Sequence, residues 1–193
     1  MPLANPADLR ADFPETRPFT GIDPATPVAM AEGHSRRAGE LRVGDRLALA
    51  CGGDAPLVAV LHAGLPQMGE FAAVTLRAMP GMPALTVPAR QRFLIASPFA
   101  ELWFGEVEVL VPALAFVRVG DGAVTPAGEA GFVQPVLDRP GRILAGGRAT
   151  ASAGPPKGQT GPGAAPRRVL SMEEAVMLLR LIRAADRRER AAG

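Results

Sequence analysis

Tyrosine is absent from these 193 residues, and cysteine and tryptophan occur once each. Aromatic residues make up only 5% of the chain. A surface that binds nucleic acid by base stacking needs exposed rings, so no nucleic-acid partner is expected. A lone Cys51 excludes an intrachain disulfide and fits a reducing compartment. Two histidines, His34 and His62, and one thiol at distant positions fall short of the roughly four ligands of a zinc site. No metal and no cofactor is expected. Lysine is scarce too: Lys157 is the single lysine among 21 basic residues. No apolar run approaches the roughly 20 residues that span a bilayer. The opening residues, Met1 to Pro6, lack a basic segment followed by an apolar one. The expectation is therefore a cytoplasmic protein, or one exported without a recognisable N-terminal signal.

Hydrophobic residues are 48% of the chain, enough for a sizeable core. Gly (22) and Pro (20) are abundant, which favours short strands and many turns over long helices. The net charge is +2. It is unevenly placed, because residues 167–193 carry seven Arg against Glu173, Glu174, Asp186 and Glu189. The body before them is close to neutral and shows no stripe that would track phosphates.

Four stretches organise the chain. Residues 1–20 hold Pro2, Pro6, Pro14 and Pro18 and read as an extended lead-in, with at most a turn of helix near Pro6 to Arg10. Residues 21–147 read as a domain of short strands. Strands are expected at 27–30, 41–50, 56–62, 71–77, 85–87, 92–96, 101–104, 107–111, 114–119, 131–137 and 142–145. Cys51-Gly52-Gly53-Asp54 and Asp121-Gly122 are expected as tight turns. Residues 148–166 are rich in Gly, Pro and Ala and read as a flexible linker. Residues 167–193 contain a helix over 171–190. Ser171 with Glu174 forms a capping box, and Met172, Ala175, Val176, Leu178, Leu179, Leu181, Ile182 and Ala185 make a broad apolar arc. The expected class is mainly β with one C-terminal amphipathic helix.

Several motifs resemble bacterial domains of the hedgehog/intein (Hint) autoprocessing family. Asp23-Pro24-Ala25-Thr26-Pro27-Val28-Ala29-Met30, followed by Gly39-Glu40-Leu41-Arg42-Val43-Gly44-Asp45-Arg46-Leu47, is similar to the family's opening. Val87-Pro88-Ala89-Arg90-Gln91-Arg92-Phe93 resembles its Val-Ser-Pro-x-His-Arg-hydrophobic stretch. The most specific likeness is Ala100-Glu101-Leu102-Trp103-Phe104-Gly105-Glu106-Val107-Glu108-Val109-Leu110-Val111-Pro112-Ala113. A weaker one is Phe132-Val133-Gln134-Pro135-Val136-Leu137-Asp138-Arg139. Together they cover residues 21–147 and imply a Hint-like fold of short twisted strands.

The resemblance also says where the family's chemistry would sit. Autoprocessing begins when a Cys or Ser side chain attacks the preceding carbonyl carbon. The matching position is Gly21, which has no side chain to attack with. A family His assists breakdown of the tetrahedral intermediate. Its position is Gln91, which hydrogen-bonds but does not titrate near neutrality. Pro88 stands where the family has Ser, and Gln134 and Pro140 stand at later His positions. No catalytic residue is therefore expected, and the reading is a degenerate, non-catalytic Hint-like module, a pseudoenzyme serving as a binding or structural protein. The alternative is residual self-cleavage from a non-standard nucleophile, Thr20, one residue earlier.

Other candidates divide similarly. Cys51 is either a reactive thiol with a lowered pKa or an inert turn residue, and the second is favoured. Glu106 and Glu108 would share one strand face, as acid–base partners or as a solvated surface. The C-terminal helix could pack on its own body, dock into a protein partner, or lie on a membrane surface, the last ranked lowest. Leu178, Leu179, Ile182 and Arg183 are the expected partner contacts, and the same helix is a route to an oligomer.

Overall fold

Short apolar stretches separated by Gly and Pro have too few residues for stable helices, and most become strands. The computed structural model describes residues 20–63, 73–125, 131–153 and 167–192. Among these are twelve strands: β1 (Pro27–Ala29), β2 (Ser35–Arg37), β3 (Arg46–Ala48), β4 (Asp54–Ala63), β5 (Ala73–Leu76), β6 (Leu85–Pro88), β7 (Arg92–Ala96), β8 (Glu108–Pro112), β9 (Gly122–Thr125), β10 (Phe132–Leu137), β11 (Arg142–Ala145) and β12 (Arg148–Ala151). Beside them are three α-helices, α1 (Pro98–Phe104), α2 (Ala113–Arg118) and α3 (Met172–Ala192), and one 3-10 turn at Ala38–Glu40. The mainly β class with a C-terminal helix is as expected. Residues 1–19 of the lead-in and 154–166 of the linker lie outside the described residues.

The strands form a six-stranded sheet ordered β2-β1-β11-β12-β7-β8 and two three-stranded sheets, β10-β4-β3 and β6-β5-β9. Their inner faces share one core that includes Ile22, Val28, Leu47, Leu57, Leu85, Phe93, Val133 and Ile143. Alternation is clean in β8, where Val109 and Val111 are buried between half-buried neighbours.

Two expected strands are helices. Residues 101–104 belong to α1, which opens with Pro98 and is capped by Ser97, whose side chain accepts from the Phe99 N–H at 3.2 Å. Gly105 closes it at φ 69°, a left-handed conformation that only glycine takes without penalty. Residues 114–119 mostly belong to α2. Ala113 and Ala115 are buried there, and a short apolar run looks alike as a strand or as a buried helical turn. The expected turn at Asp121-Gly122 falls slightly earlier, and Gly122 opens β9. The expected strand at 41–50 is reduced to β3 and its bridge residue Leu49.

The linker was expected to start at residue 148, but Arg148–Ala151 is β12, paired along its length with β11. Gly146 (φ 55°) and Gly147 (φ 73°) make the tight connection. Two successive positive φ angles suit the twist of a two-residue hairpin.

The helix α3 packs on its own chain. Arg168 and Leu170 bracket a parallel bridge between Val169 and Leu110: the Leu110 N–H donates to the Arg168 carbonyl at 2.9 Å, and the Leu170 N–H to the Leu110 carbonyl at 3.0 Å. This covers β8, the edge of the large sheet. The capping box forms as expected, with the Ser171 N–H donating to Glu174 Oε2 at 2.8 Å and the Glu174 N–H to Ser171 Oγ at 3.3 Å. These contacts hold the Glu174 carboxyl below its usual range, the Ser171 amide chiefly and Arg168 next. Ala175, Leu178 and Leu179 are buried against Val109, Val111, Ala115 and Val119.

Candidate functional site

The chain at residues 20–23 runs between β10 and β6. Ile22 and Val133 exchange both backbone hydrogen bonds at 2.9 Å, and the Asp23 N–H donates to the Thr86 carbonyl at 3.1 Å. This seats Gly21 beside the bend that links β6 to β7. In that bend the Gln91 N–H donates to the Pro88 carbonyl at 2.9 Å. The N-terminus of α2 locks the bend from the other side: the Ala113 N–H donates to the Gln91 carbonyl at 2.7 Å and the Leu114 N–H to the Ala89 carbonyl at 3.0 Å.

Gln91 is therefore fixed at both backbone and side chain, and it is 1% exposed. Its Oε1 accepts the Gly21 N–H at 2.8 Å. Its Nε2 donates to Thr150 Oγ1 at 2.5 Å and to the Ala151 carbonyl at 2.9 Å. The orientation of the amide is unambiguous. A backbone N–H can only donate and a carbonyl can only accept, so the oxygen must face Gly21 and the nitrogen Ala151. Thr150, also 1% exposed, passes its own hydroxyl proton to the Arg92 carbonyl at 3.1 Å. Every polar atom of this buried group is satisfied, as burial demands.

The neighbouring hydroxyl is Thr20. Its Oγ1 accepts from Gln134 Nε2 at 2.6 Å. The structure thus brings Thr20, Gly21, Gln91 and Gln134 to one centre, with the Pro88 carbonyl at its edge. Pro140 is exposed in the bend before β11. At this centre a peptide N–H, a hydroxyl and two carboxamides meet. Carboxamides orient and hold; they neither take up nor release a proton near neutral pH.

No family model and no curated protein matches the chain. Solved structures to which the chain is similar include inteins. Two crystal structures of the MchDnaB-1 intein show 18% and 17% identity, cover 68% and 67% of this chain and 99% and 98% of their own, and give TM-scores of 0.47 and 0.45. A crystal structure of a DnaB intein from Synechocystis sp. PCC 6803 shows 16% identity, covers 70% of this chain and 99% of its own, and gives a TM-score of 0.46.

Other sequence candidates lie away from this centre. Cys51 is exposed in its turn, with Sγ 3.9 Å from the Gly52 carbonyl. His34 is exposed, 4.0 Å from Glu32, and His62 is exposed on β4. Glu106 and Glu108 do not share a strand, because β8 starts at Glu108. Glu108 pairs instead with Arg167 at 3.0 Å. Among the described residues no three His, Cys, Asp or Glu side chains gather where a metal could sit, and no helix is long and apolar enough to cross a membrane.

The expected partner contacts are turned toward the body. Leu178 is 0% and Leu179 5% exposed. Ile182 packs half-buried against the same cluster, and Arg183 lies 3.5 Å from Asp121. A partner could reach Leu178 and Leu179 only by lifting α3 off, whereas Ile182 and Arg183 keep part of their surface open.

Thr150 escaped the sequence reading because Arg148-Ala149-Thr150-Ala151 was assigned to the linker. The Gly146-Gly147 pair after Ile143-Leu144-Ala145 was the signal, since such a dipeptide between two candidate strands marks a hairpin.

The motif turn at Gly44-Asp45 is held by its acid. Asp45 Oδ2 accepts the Arg42 N–H at 2.8 Å and Oδ1 lies 2.6 Å from Arg36 Nη1. The acid thus reaches back three residues along the chain. Burial pushes the carboxyl up, but the Arg42 amide and the Arg36 guanidinium outweigh it, and the net shift is downward.

Proposed function

We propose that this chain is a non-catalytic Hint-like module acting as a binding or structural protein. The observation that carries the reading is the hydrogen bond from the Gly21 N–H to Gln91 Oε1 at 2.8 Å. In an acyl shift at residue 21, the Thr20–Gly21 amide nitrogen is the leaving group and must gain a proton. The side chain placed against that nitrogen is a carboxamide, with no proton to give. The attacking side chain is missing as well, because residue 21 is glycine. A scaffold that seats a peptide bond without a nucleophile and without an acid holds that bond intact.

The same contact bears on the alternative reading. Gln91, at the position of the family's His, addresses the nitrogen of Gly21 rather than that of Thr20. This contact supports counting Gly21, rather than Thr20, as the first residue of the module. Thr20 keeps its hydroxyl engaged with Gln134, and a carboxamide is no base to activate it. Support therefore favours the non-cleaving module over Thr20-driven self-cleavage.

A reporter domain fused ahead of Met1 tests this. The fusion is expected to stay whole when incubated with hydroxylamine or with excess thiol. Release of the reporter that vanishes in Thr20→Ala would establish the alternative instead.

A further inference from the structure

Helix α3 buries one face and leaves the opposite one uncovered. Ala175, Leu178 and Leu179 are buried, whereas Glu173 and Arg180 are exposed. Met172, Glu173, Val176, Met177, Arg180 and Leu181 line a shallow groove of about 500 Å³, with Arg118 of α2 at its rim. Glu173, Val176, Met177 and Arg180 stand at i, i+3, i+4 and i+7, so they form one stripe on the helix. An acid stands at one end, a base at the other, and two half-buried apolar side chains lie between. Among the described residues neither Glu173 nor Arg180 is in an ion pair.

We infer that a second copy of this chain docks on this stripe, antiparallel, about a two-fold axis between Val176 and Met177. Such an axis places Glu173 of each protomer against the partner's Arg180, so one complementary pair occurs twice. Val176 of each protomer then faces the partner's Met177 across the axis. Methionine suits such a seam because its unbranched side chain adapts to the facing surface. The parallel arrangement is disfavoured, since it sets Glu173 against Glu173 and Arg180 against Arg180. Glu173, Met177 and Arg180 face away from Leu178, Leu179 and Ile182, and Val176 stands at the border, packed in part against the body, so docking leaves the helix seated on its own chain.

The charges make the test specific. Sedimentation velocity of the full chain over a concentration series should show a species of twice 20.0 kDa, weakened by added salt. Glu173→Arg alone should raise the dissociation constant by at least about tenfold, because two attractions become repulsions. Arg180→Glu alone should do the same. The double variant Glu173→Arg, Arg180→Glu restores the complementarity and should restore the dimer. Both substituted side chains are exposed, and circular dichroism checks that each variant is folded. A wild-type chain that stays at 20.0 kDa throughout overturns the inference. So does a dimer indifferent to the single reversals, or one that the double variant fails to recover.

Discussion

Gln91 Oε1 lies 2.8 Å from the backbone nitrogen of Gly21, although 70 residues separate the two in the chain. The contact joins the start of the folded body to the β6–β7 bend, and through Thr150 and Ala151 to β12. One buried carboxamide therefore ties three segments. Removing it strands a donor at Gly21 and an acceptor at Ala151.

Gln91→Leu should destabilise the protein by on the order of 3 kcal/mol, because each buried polar group left unpaired costs about 1–3 kcal/mol. Urea unfolding checks this. The midpoint should fall with an unchanged slope. A loss under about 1 kcal/mol would mean that water replaces the lost partners and that the tie is weak.

Thr150→Val keeps the shape and deletes the hydroxyl that supports Gln91. The expected cost is about 1–2 kcal/mol, less than for Gln91→Leu because the Ala151 carbonyl remains. A double-mutant cycle with Gln91→Leu should show that the two effects do not add. Additive effects would indicate that Thr150 and Gln91 act independently.

Leu178→Ala opens a cavity under α3 and should cost about 2–5 kcal/mol. Amide exchange should accelerate along α3 and at Leu110, whose N–H bonds the Arg168 carbonyl. Unaltered stability would mean that the helix contributes little to the body and is free for another partner.

The acid limb of stability should report Asp45. Its carboxyl is lower in the folded chain than its ordinary value, so it stabilises the fold above the unfolded value of about 3.9. That contribution fades as pH falls from there through the folded value. Asp45→Asn should flatten the stability profile between about pH 5 and the acid transition. An unchanged slope would show that other carboxylates dominate the limb.

Local chemistry was legible in the sequence where neighbouring residues decide it. Ser171 and Glu174 are three apart, and their reciprocal cap forms. The Cys51 to Asp54 turn joins β3 to β4, with the Leu49 N–H on the Gly53 carbonyl at 3.0 Å. Residues 101–104 and 114–119 misled because short apolar runs carry no period long enough to separate helix from strand. Ser97-Pro98 and Gly105 were the correcting signals for the first. β12 was hidden by its composition, since Ala and Arg have little strand preference and only pairing with β11 makes them a strand. At the candidate site, Gly21, Gln91 and Gln134 were singled out by likeness to a family, and no spacing along the chain could have brought them together. Their meeting is a long-range consequence of the sheets.

On the proposed reading the peptide bond between Thr20 and Gly21 stays closed. Intact mass spectrometry of the purified chain, taken fresh and again after prolonged incubation with hydroxylamine, measures this most directly. A single species at 20.0 kDa in both samples is the expected result. A pair of fragments divided at Thr20 or Gly21, growing with time, would contradict it.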